Sequence, residues 1–198
     1  MLLSRLVILC LLLTVAQIAD AQMPTKYTVK KGRHFSFPRV IKFRINPKVV
    51  KWEVSFDDNS NYILKEPDGT VSVDQLDWNK LCGVFFNLFN TRSQTAMIGW
   101  RYNVETERIE LAPYYHVNGG TDRFPPLMTL VRNELVIITL TIRRNPKMYV
   151  WTLEKKGGTG SHEFPFTHNK KLCSFINFYF GGNKRAPQTV SAHLKIDK

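Results

Sequence analysis

The sequence predicts an all-β protein in which two antiparallel sheets pack face to face as a sandwich or jelly roll. Apolar and polar residues alternate with a period of two from residue 22 onward, apolar residues do not recur at helical spacing, and short turn signals separate the alternating stretches. The 198-residue chain is 43% hydrophobic and 12% aromatic. That composition supplies enough apolar surface for a core, which excludes an intrinsically disordered chain.

Two stretches before residue 57 show this alternation. Basic residues at positions 42 and 44 separate the apolar residues of the first stretch, and polar residues at positions 53 and 55 separate those of the second. Asn46-Pro47 lies between the two stretches as a turn signal. Because half-buried strands turn alternate side chains inward, these residues are expected to face the core: Ile41, Phe43, Ile45, Trp52, Val54 and Phe56.

Eight further segments have the composition of strands, with turns rich in Gly, Pro or Asn between them. They are Val71–Val73, Leu81–Leu88, Ala96–Val104, Arg108–Val117, Leu135–Ile142, Met148–Leu153, Leu172–Phe180 and Thr189–Ile196. One helical turn is expected near Asp74–Lys80, where Asp74 is suited to cap it. No repeat or linker divides the chain, so residues 22–198 are predicted to form a single β-sandwich domain.

Residues 1–21 have the features of a signal peptide. Arg5 precedes the apolar run Leu6–Val15, and Ala19-Asp20-Ala21 is the small-x-small pattern of a cleavage site. Cleavage after Ala21 would remove one basic and one acidic residue and leave the net charge at +12. Beyond residue 21 no apolar run approaches the ~20 residues that cross a bilayer, so no transmembrane segment is predicted. We therefore expect a secreted or extracytoplasmic protein.

Two cysteines follow the signal peptide, Cys82 and Cys173. In an oxidising compartment they are candidates for one disulfide, and the alternative is two buried free thiols. Cys82 has the same parity as Val84 and is expected to face the core, whereas Cys173 is expected to face away from it. A bridge between them therefore needs a bulge, and Gly83 is a plausible site for one. Neither cysteine lies at zinc spacing, and we predict no metal and no cofactor.

Three predicted strands, Ala96–Val104, Arg108–Val117 and Leu172–Phe180, together predict a candidate ligand-binding face when their residues are sorted by parity. In the strand near the C-terminus Leu172, Ile176, Phe178 and Phe180 form the apolar set that faces the core. The residues on the opposite faces of the three strands include groups that bind polar ligands. These are Arg101, Asn103, Tyr114, His116, Asn177 and Tyr179.

If these strands are neighbours, their polar faces form one groove with a cation, amides, an imidazole and phenols. Such a surface suits sugars, because aromatic rings cover pyranose faces while amides and guanidinium bind hydroxyls and carboxylates. The alternative is an ordinary solvated sheet face that binds nothing.

Basic residues crowd the first thirty positions after the signal peptide. They are Lys30, Lys31, Arg33, Arg39, Lys42, Arg44, Lys48 and Lys51. A positive field attracts a polysaccharide or another extracellular polyanion. No nucleic-acid motif accompanies the charge, so nucleic acid is not an expected partner, and the excess could serve solubility alone.

Two segments carry a resemblance to a family. The first consists of residues 95–103 with 109–119 and includes Trp100-Arg101-Tyr102-Asn103, and the second consists of residues 178–187 and includes Phe178-Tyr179-Phe180-Gly181-Gly182-Asn183. Both resemble exported bacterial β-sandwich proteins of the concanavalin A-like type, a group without an established activity. The resemblance covers roughly the C-terminal half of the chain and implies a concanavalin A-like fold.

The order of Arg101, His116 and Tyr179-Phe180 is similar to that in jelly-roll alginate lyases. This resemblance implies that Arg101, with Asn103, would neutralise a uronate carboxylate. His116 or Tyr179 would then remove the C5 proton, and Tyr179 would protonate the leaving oxygen. The sequence departs from the family's pattern, because Tyr114 stands in place of a glutamine and Gly181 in place of a lysine.

The sequence therefore predicts a secreted protein that binds an extracellular, acidic carbohydrate through the polar and aromatic face. One alternative is a polysaccharide lyase that cleaves uronate polymers by β-elimination, with Arg101, His116 and Tyr179 as catalytic residues. Another is a surface or matrix interaction protein without a glycan site. The sequence leaves the ligand and the oligomeric state open.

Overall fold

The structure, a computed structural model, describes residues 23–88, 90, 93–117 and 120–197 and confirms the all-β antiparallel sandwich. The predicted signal peptide lies outside the described residues. Within them the strands are β1 (Thr25–Val29), β2 (Ser36–Phe37), β3 (Phe43–Ile45), β4 (Val49–Phe56), β5 (Asn79–Phe85), β6 (Thr95–Asn103), β7 (Arg108–Val117), β8 (Gly120–Arg123), β9 (Met128–Leu130), β10 (Val136–Arg144), β11 (Lys147–Lys155), β12 (Gly158–Pro165), β13 (Leu172–Ile176) and β14 (Val190–Ile196). Across these ranges no helix is long and apolar enough to cross a membrane.

The strands form two seven-stranded sheets. Sheet A has the order β12-β11-β10-β4-β14-β1-β2. Sheet B has the order β3-β13-β5-β6-β7-β8, and β9 pairs with the same edge of β7 as β8 does. The two sheets bury a core that is rich in tryptophan, with Trp52, Trp100 and Trp151 fully inaccessible to solvent. The predicted core residues Val54 and Phe56 are buried as well.

The segment around residue 73 is a helical turn and not a strand. Val71 makes an isolated bridge to Lys65, and a 3-10 helix follows over Val73–Leu76. The Ser72 side chain caps this turn by accepting a hydrogen bond from the Asp74 backbone N–H at 3.2 Å. The predicted helical turn is therefore present in 3-10 form, and Ser72 rather than Asp74 is its cap.

Strand β3 turns its apolar residues outward, so the prediction that they face the core is wrong. Ile41, Phe43 and Ile45 are 74%, 56% and 79% exposed. The reason is that β3 is a three-residue edge strand that pairs with β13 and has Arg44 on its inner side. The Arg44 guanidinium bonds the Asp197 carbonyl at 2.6 Å and lies 5.7 Å from the ring of Phe175 in the core.

The alternation near the C-terminus changes phase, so the predicted core positions of Leu172 and Ile176 are wrong. Cys173 and Phe175 face the core, whereas Leu172 is exposed and Ile176 packs on the outer side of sheet B. The chain leaves β13 at Ile176 and pairs again as an isolated bridge at Tyr179. Phe178 and Phe180 are buried in the core, as predicted.

The candidate disulfide between Cys82 and Cys173 does not form. Both are free, buried thiols, which is the alternative that the sequence left open. Val84 pairs with Phe175, and this register places Cys173 opposite residue 86. Cys82 is therefore offset from Cys173 by four residues along the strand direction, a distance of about 13 Å. A disulfide needs Cα atoms within about 7 Å. The bulge of β5 falls at Leu81, between Lys80 and Cys82, and not at Gly83.

A buried histidine near the Arg144 end of β10 predicts acid sensitivity. His168 is 8% exposed, and its Nε2 lies 2.6 Å from the Tyr149 hydroxyl. Burial, followed by the nearby cations Arg144, Lys170 and Lys147, lowers the pKa of His168 from 6.5 to about 4. Since the unfolded chain then binds the proton more tightly, stability is retained above pH 6.5 and is lost as the pH falls toward 4.

We expect this histidine to lower the free energy of unfolding by about 2 kcal/mol across that pH range. Urea unfolding of wild-type protein and His168→Phe at neutral and acidic pH measures the effect. The phenylalanine variant should lose less stability on acidification than the wild type. Equal losses would show that His168 does not carry the pH dependence.

Candidate functional site

Four of the six predicted site residues lie on β6 and β7, on the outer face of sheet B that points away from sheet A. In β6 and β7 the parity assignment holds, because Ile98, Trp100, Ile109 and Leu111 are in the core. Arg101, Asn103, Tyr114 and His116 are on the other side. This part of the outer face is not an open polar groove, since Tyr114 and His116 are 7% and 6% exposed.

Arg101 and Asn103 are held by a carboxylate that sequence reasoning did not place in the site. Arg101 Nε donates to Glu110 Oε2 at 2.7 Å, and Asn103 Nδ2 donates to Glu110 Oε1 at 2.9 Å. Arg101 also donates to the Leu76 carbonyl at 2.7 Å and stacks 4.2 Å above the Trp78 ring. Glu110 thus neutralises the guanidinium that was predicted to bind a uronate carboxylate.

Tyr114 belongs to a small apolar cluster on the outer face and not to a binding surface. Trp78, Met97, Ala112 and Tyr114 bury one another there, and Ile176 packs against them. His116 lies beside this cluster, with Nδ1 3.0 Å from the Thr121 hydroxyl and its ring 5.1 Å from that of Tyr114. Both side chains are therefore packed within the fold.

The three residues assigned to a lyase do not meet. Arg101 pairs with Glu110 and Thr95 pairs with His116, so the register puts six residues, about 20 Å, between Arg101 and His116. Tyr179 pairs with Lys80, which pairs with Gly99, and this places the Tyr179 Cα roughly 20 Å from that of His116. A base, an acid and a carboxylate neutraliser must all contact one sugar residue, and these spacings prevent that.

A groove of about 650 Å³ lies on the outer face of sheet B, beside the apolar cluster. Its floor is formed by β5, β6 and β13, and the segment 35–43 forms its wall. Backbone hydrogen bonds of 2.9 Å from Phe180 N–H to the His34 carbonyl and 3.1 Å from Ala186 N–H to the Arg33 carbonyl fix this wall to the C-terminal segment. Of the predicted site residues, Asn177 and Tyr179 line the groove.

One end of the groove combines aromatic rings with cations. Tyr179 pairs with Phe35 on one side and with Lys80 on the other. Because paired residues point to the same face, the three side chains share that face. Lys80 Nζ lies 5.3 Å from the Tyr179 ring, and the Arg39 guanidinium lies 4.2 Å above the Phe35 ring. Burial raises the pKa of the Tyr179 phenol, which therefore stays protonated and available as a hydrogen-bond donor at neutral pH.

The remaining polar groups of the groove are uncharged. They are the Asn177 amide and the hydroxyls of three buried residues, Ser36, Thr95 and Ser174. Within the described ranges the groove lining contains two cations and no carboxylate. Such a lining favours a ligand that carries negative charge and has apolar faces for the aromatic rings.

Sequence reasoning missed most of the groove. The alternation predicts a core position for Phe43, and it gives no signal that Phe35 or Lys80 belongs to a site. Arg39 belongs to the predicted basic cluster, but the sequence pattern does not connect it to a site. The pairing of segment 35 with Tyr179 joins residues 144 positions apart, and the local pattern carries no signal for that contact.

Comparisons with solved structures agree with the fold. An alginate lyase from Klebsiella pneumoniae matches with a TM-score of 0.53 at 11% identity, over 75% of this chain and 59% of that chain. A functionally unknown protein from Saccharomyces cerevisiae matches with a TM-score of 0.50 at 11% identity, over 87% of each chain. This chain thus spans about three-fifths of the length of the lyase. At such identities the likeness shows a shared fold alone.

No protein-family model and no curated protein sequence matches this chain.

Proposed function

We propose that this protein binds an acidic carbohydrate in the groove between segment 35–43 and strands β5, β6 and β13. The proposal depends on one observation, which is that Phe35 and Tyr179 lie beside the cations Arg39 and Lys80 in the same groove. Rings cover the apolar faces of pyranoses, and cations bind their carboxylates or sulfates. The net charge of +12 adds long-range attraction for a polyanion.

The size of the groove suits a short stretch of polysaccharide. A volume of about 650 Å³ lies within the range of ~300–1,000 Å³ typical of small-ligand sites. The Asn177 amide and the Tyr179 phenol could bond sugar hydroxyls that the rings leave uncovered. The resemblance to alginate lyases supports a carbohydrate ligand, but Glu110 neutralises Arg101, and His116 lies on a different part of the outer face. We therefore propose binding and not cleavage.

Replacing Arg39 or Tyr179 with alanine tests the groove. We expect each variant to bind an oligouronate at least tenfold more weakly, because one loses a cation and the other a ring and a donor; a tenfold change is about 1.4 kcal/mol. Isothermal titration calorimetry gives the affinities, and thermal melts confirm that each variant is folded.

The matched control is Arg143→Ala, which removes an exposed cation of sheet A that pairs with Glu163 at 3.1 Å. It should bind as the wild type does. Equal affinity of wild type and Arg39→Ala would refute the proposed site. If wild-type protein binds neither acidic nor neutral oligosaccharides, the proposed function is wrong and a protein or matrix partner becomes the better hypothesis.

A further inference from the structure

Four large apolar side chains form an exposed patch at the β3 edge of sheet B. We call Ile41, Phe43, Ile45 and Leu172 the apolar edge. Ile45 pairs with Leu172 across β3 and β13, and Phe43 lies two residues along the same face. Their exposed fractions are 74%, 56%, 79% and 42%. A contiguous patch of large exposed apolar side chains marks an interaction surface.

Cations surround the apolar edge, and these cations have no acidic neighbours in the sequence. Residues 30–51 contain eight basic residues and no acidic one, and Lys170 and Lys171 directly precede Leu172. Lys48, Lys170 and Lys171 are exposed. Asn46 N–H donates to the Lys171 carbonyl at 2.8 Å, so the two basic segments meet beside the apolar edge. The partner of this surface must therefore carry negative charge next to an apolar layer.

We propose that the apolar edge docks onto a membrane surface that contains anionic phospholipids. Exposed Ile, Leu and Phe side chains would enter the region between headgroups and acyl chains, while the flanking lysines contact lipid phosphates and carboxylates. A polysaccharide satisfies the charges but not the aliphatic side chains, since sugars pack against flat rings. A second copy of this chain satisfies the apolar side chains but brings two positive surfaces together.

Co-sedimentation with vesicles tests this proposal. The protein should bind phosphatidylcholine vesicles that contain one-third phosphatidylserine, and at least tenfold more weakly vesicles of phosphatidylcholine alone. Raising the salt from about 0.1 M to 1 M should weaken binding, because the screening length falls from about 10 Å to 3 Å. Binding that is independent of anionic lipid and of salt would overturn the proposal.

A pair of double variants tests the location. Ile45→Ser with Leu172→Ser should reduce binding to the anionic vesicles at least tenfold. The matched control is Ile63→Ser with Val73→Ser, which removes apolar side chains that are 43% and 94% exposed outside the apolar edge. The control should bind as the wild type does. Equal binding by both double variants would overturn the proposal.

A second pair tests the cations. Lys170→Glu with Lys171→Glu should weaken vesicle binding by much more than Arg132→Glu with Lys156→Glu, which reverses two exposed charges elsewhere. Light scattering tests the competing occupant. One outcome would assign the apolar edge to a second copy and overturn the proposal. In that outcome the wild type is a dimer, the Ile45→Ser, Leu172→Ser variant is a monomer, and neither protein binds vesicles.

The apolar edge shares Ile41 and Phe43 with the lining of the proposed carbohydrate groove, so the test uses the two residues that are not shared. Neither Ile45 nor Leu172 lines the groove. The Ile45→Ser, Leu172→Ser variant should therefore keep its affinity for an oligouronate while losing vesicle binding. Neither proposal requires the Arg39→Ala variant to lose vesicle binding. If the carbohydrate proposal or the membrane proposal fails, the other can therefore still be tested.

Discussion

Replacing Glu110 with alanine should lower the free energy of unfolding by about 3 kcal/mol, because it leaves the Arg101 guanidinium half-buried without its counter-charge. The Arg101 and Glu110 side chains are only 17% and 9% exposed, and their nearest atoms are 2.7 Å apart. The change also removes the acceptor of the Asn103 amide. Equilibrium denaturation with urea measures the loss.

The matched control for Glu110→Ala is Glu163→Ala on sheet A. The Arg143–Glu163 pair has a similar separation of 3.1 Å, but its side chains are 50% and 49% exposed. Exposed ion pairs contribute roughly 0–1 kcal/mol, so this variant should lose little stability. If the two variants lose the same amount, the Arg101–Glu110–Asn103 network does not stabilise the outer face of sheet B.

Replacing Gly83 with alanine should cost about 3 kcal/mol as well, through overpacking and backbone strain together. Gly83 has a φ of +149°, which side chains rarely adopt. A Cβ atom at this position would lie 2.4 Å from the Ala96 carbonyl oxygen and 2.5 Å from the Met97 Cα. These are backbone atoms of β6, so relief of the clash requires β5 and β6 to separate.

Gly158→Ala is the control for this glycine. Gly158 begins β12, its Cβ would meet no atom within 4 Å, and its φ is not in the left-handed region. Its replacement should change stability by less than about 0.5 kcal/mol. Thermal and urea unfolding of both variants give the comparison. A stable Gly83→Ala protein would mean that β5 and β6 pair less tightly than the structure indicates.

The central strands could be predicted from sequence because each has a long, regular alternation. β7 spans Arg108–Val117, as the pattern predicts, and the β6–β7 and β10–β11 hairpins are both present. The short edge strand β3 could not be oriented in this way. Its apolar residues suggest a core face, but at the sheet edge the long Arg44 side chain covers the inner side.

The candidate site was less predictable than the fold, because parity gives the face of a residue but not its neighbours. Arg101 and Glu110 are cross-strand partners in a hairpin with a four-residue loop at positions 104–107, and this register could have been derived from the loop length. The stacking of Trp78 under Arg101 could not, since Trp78 precedes β5 and its position depends on tertiary packing.

The place of β14 in sheet A affects the order in which the sheet can form. β14 lies between β4 and β1, and Ile196 pairs with Trp52. Until β14 is available for pairing, β1 and β4 have no strand between them and sheet A cannot be completed. Such pairing between distant parts of a chain slows folding. Sheet A should therefore be completed late in folding, with β1 and β4 in need of protection from aggregation until β14 pairs with them.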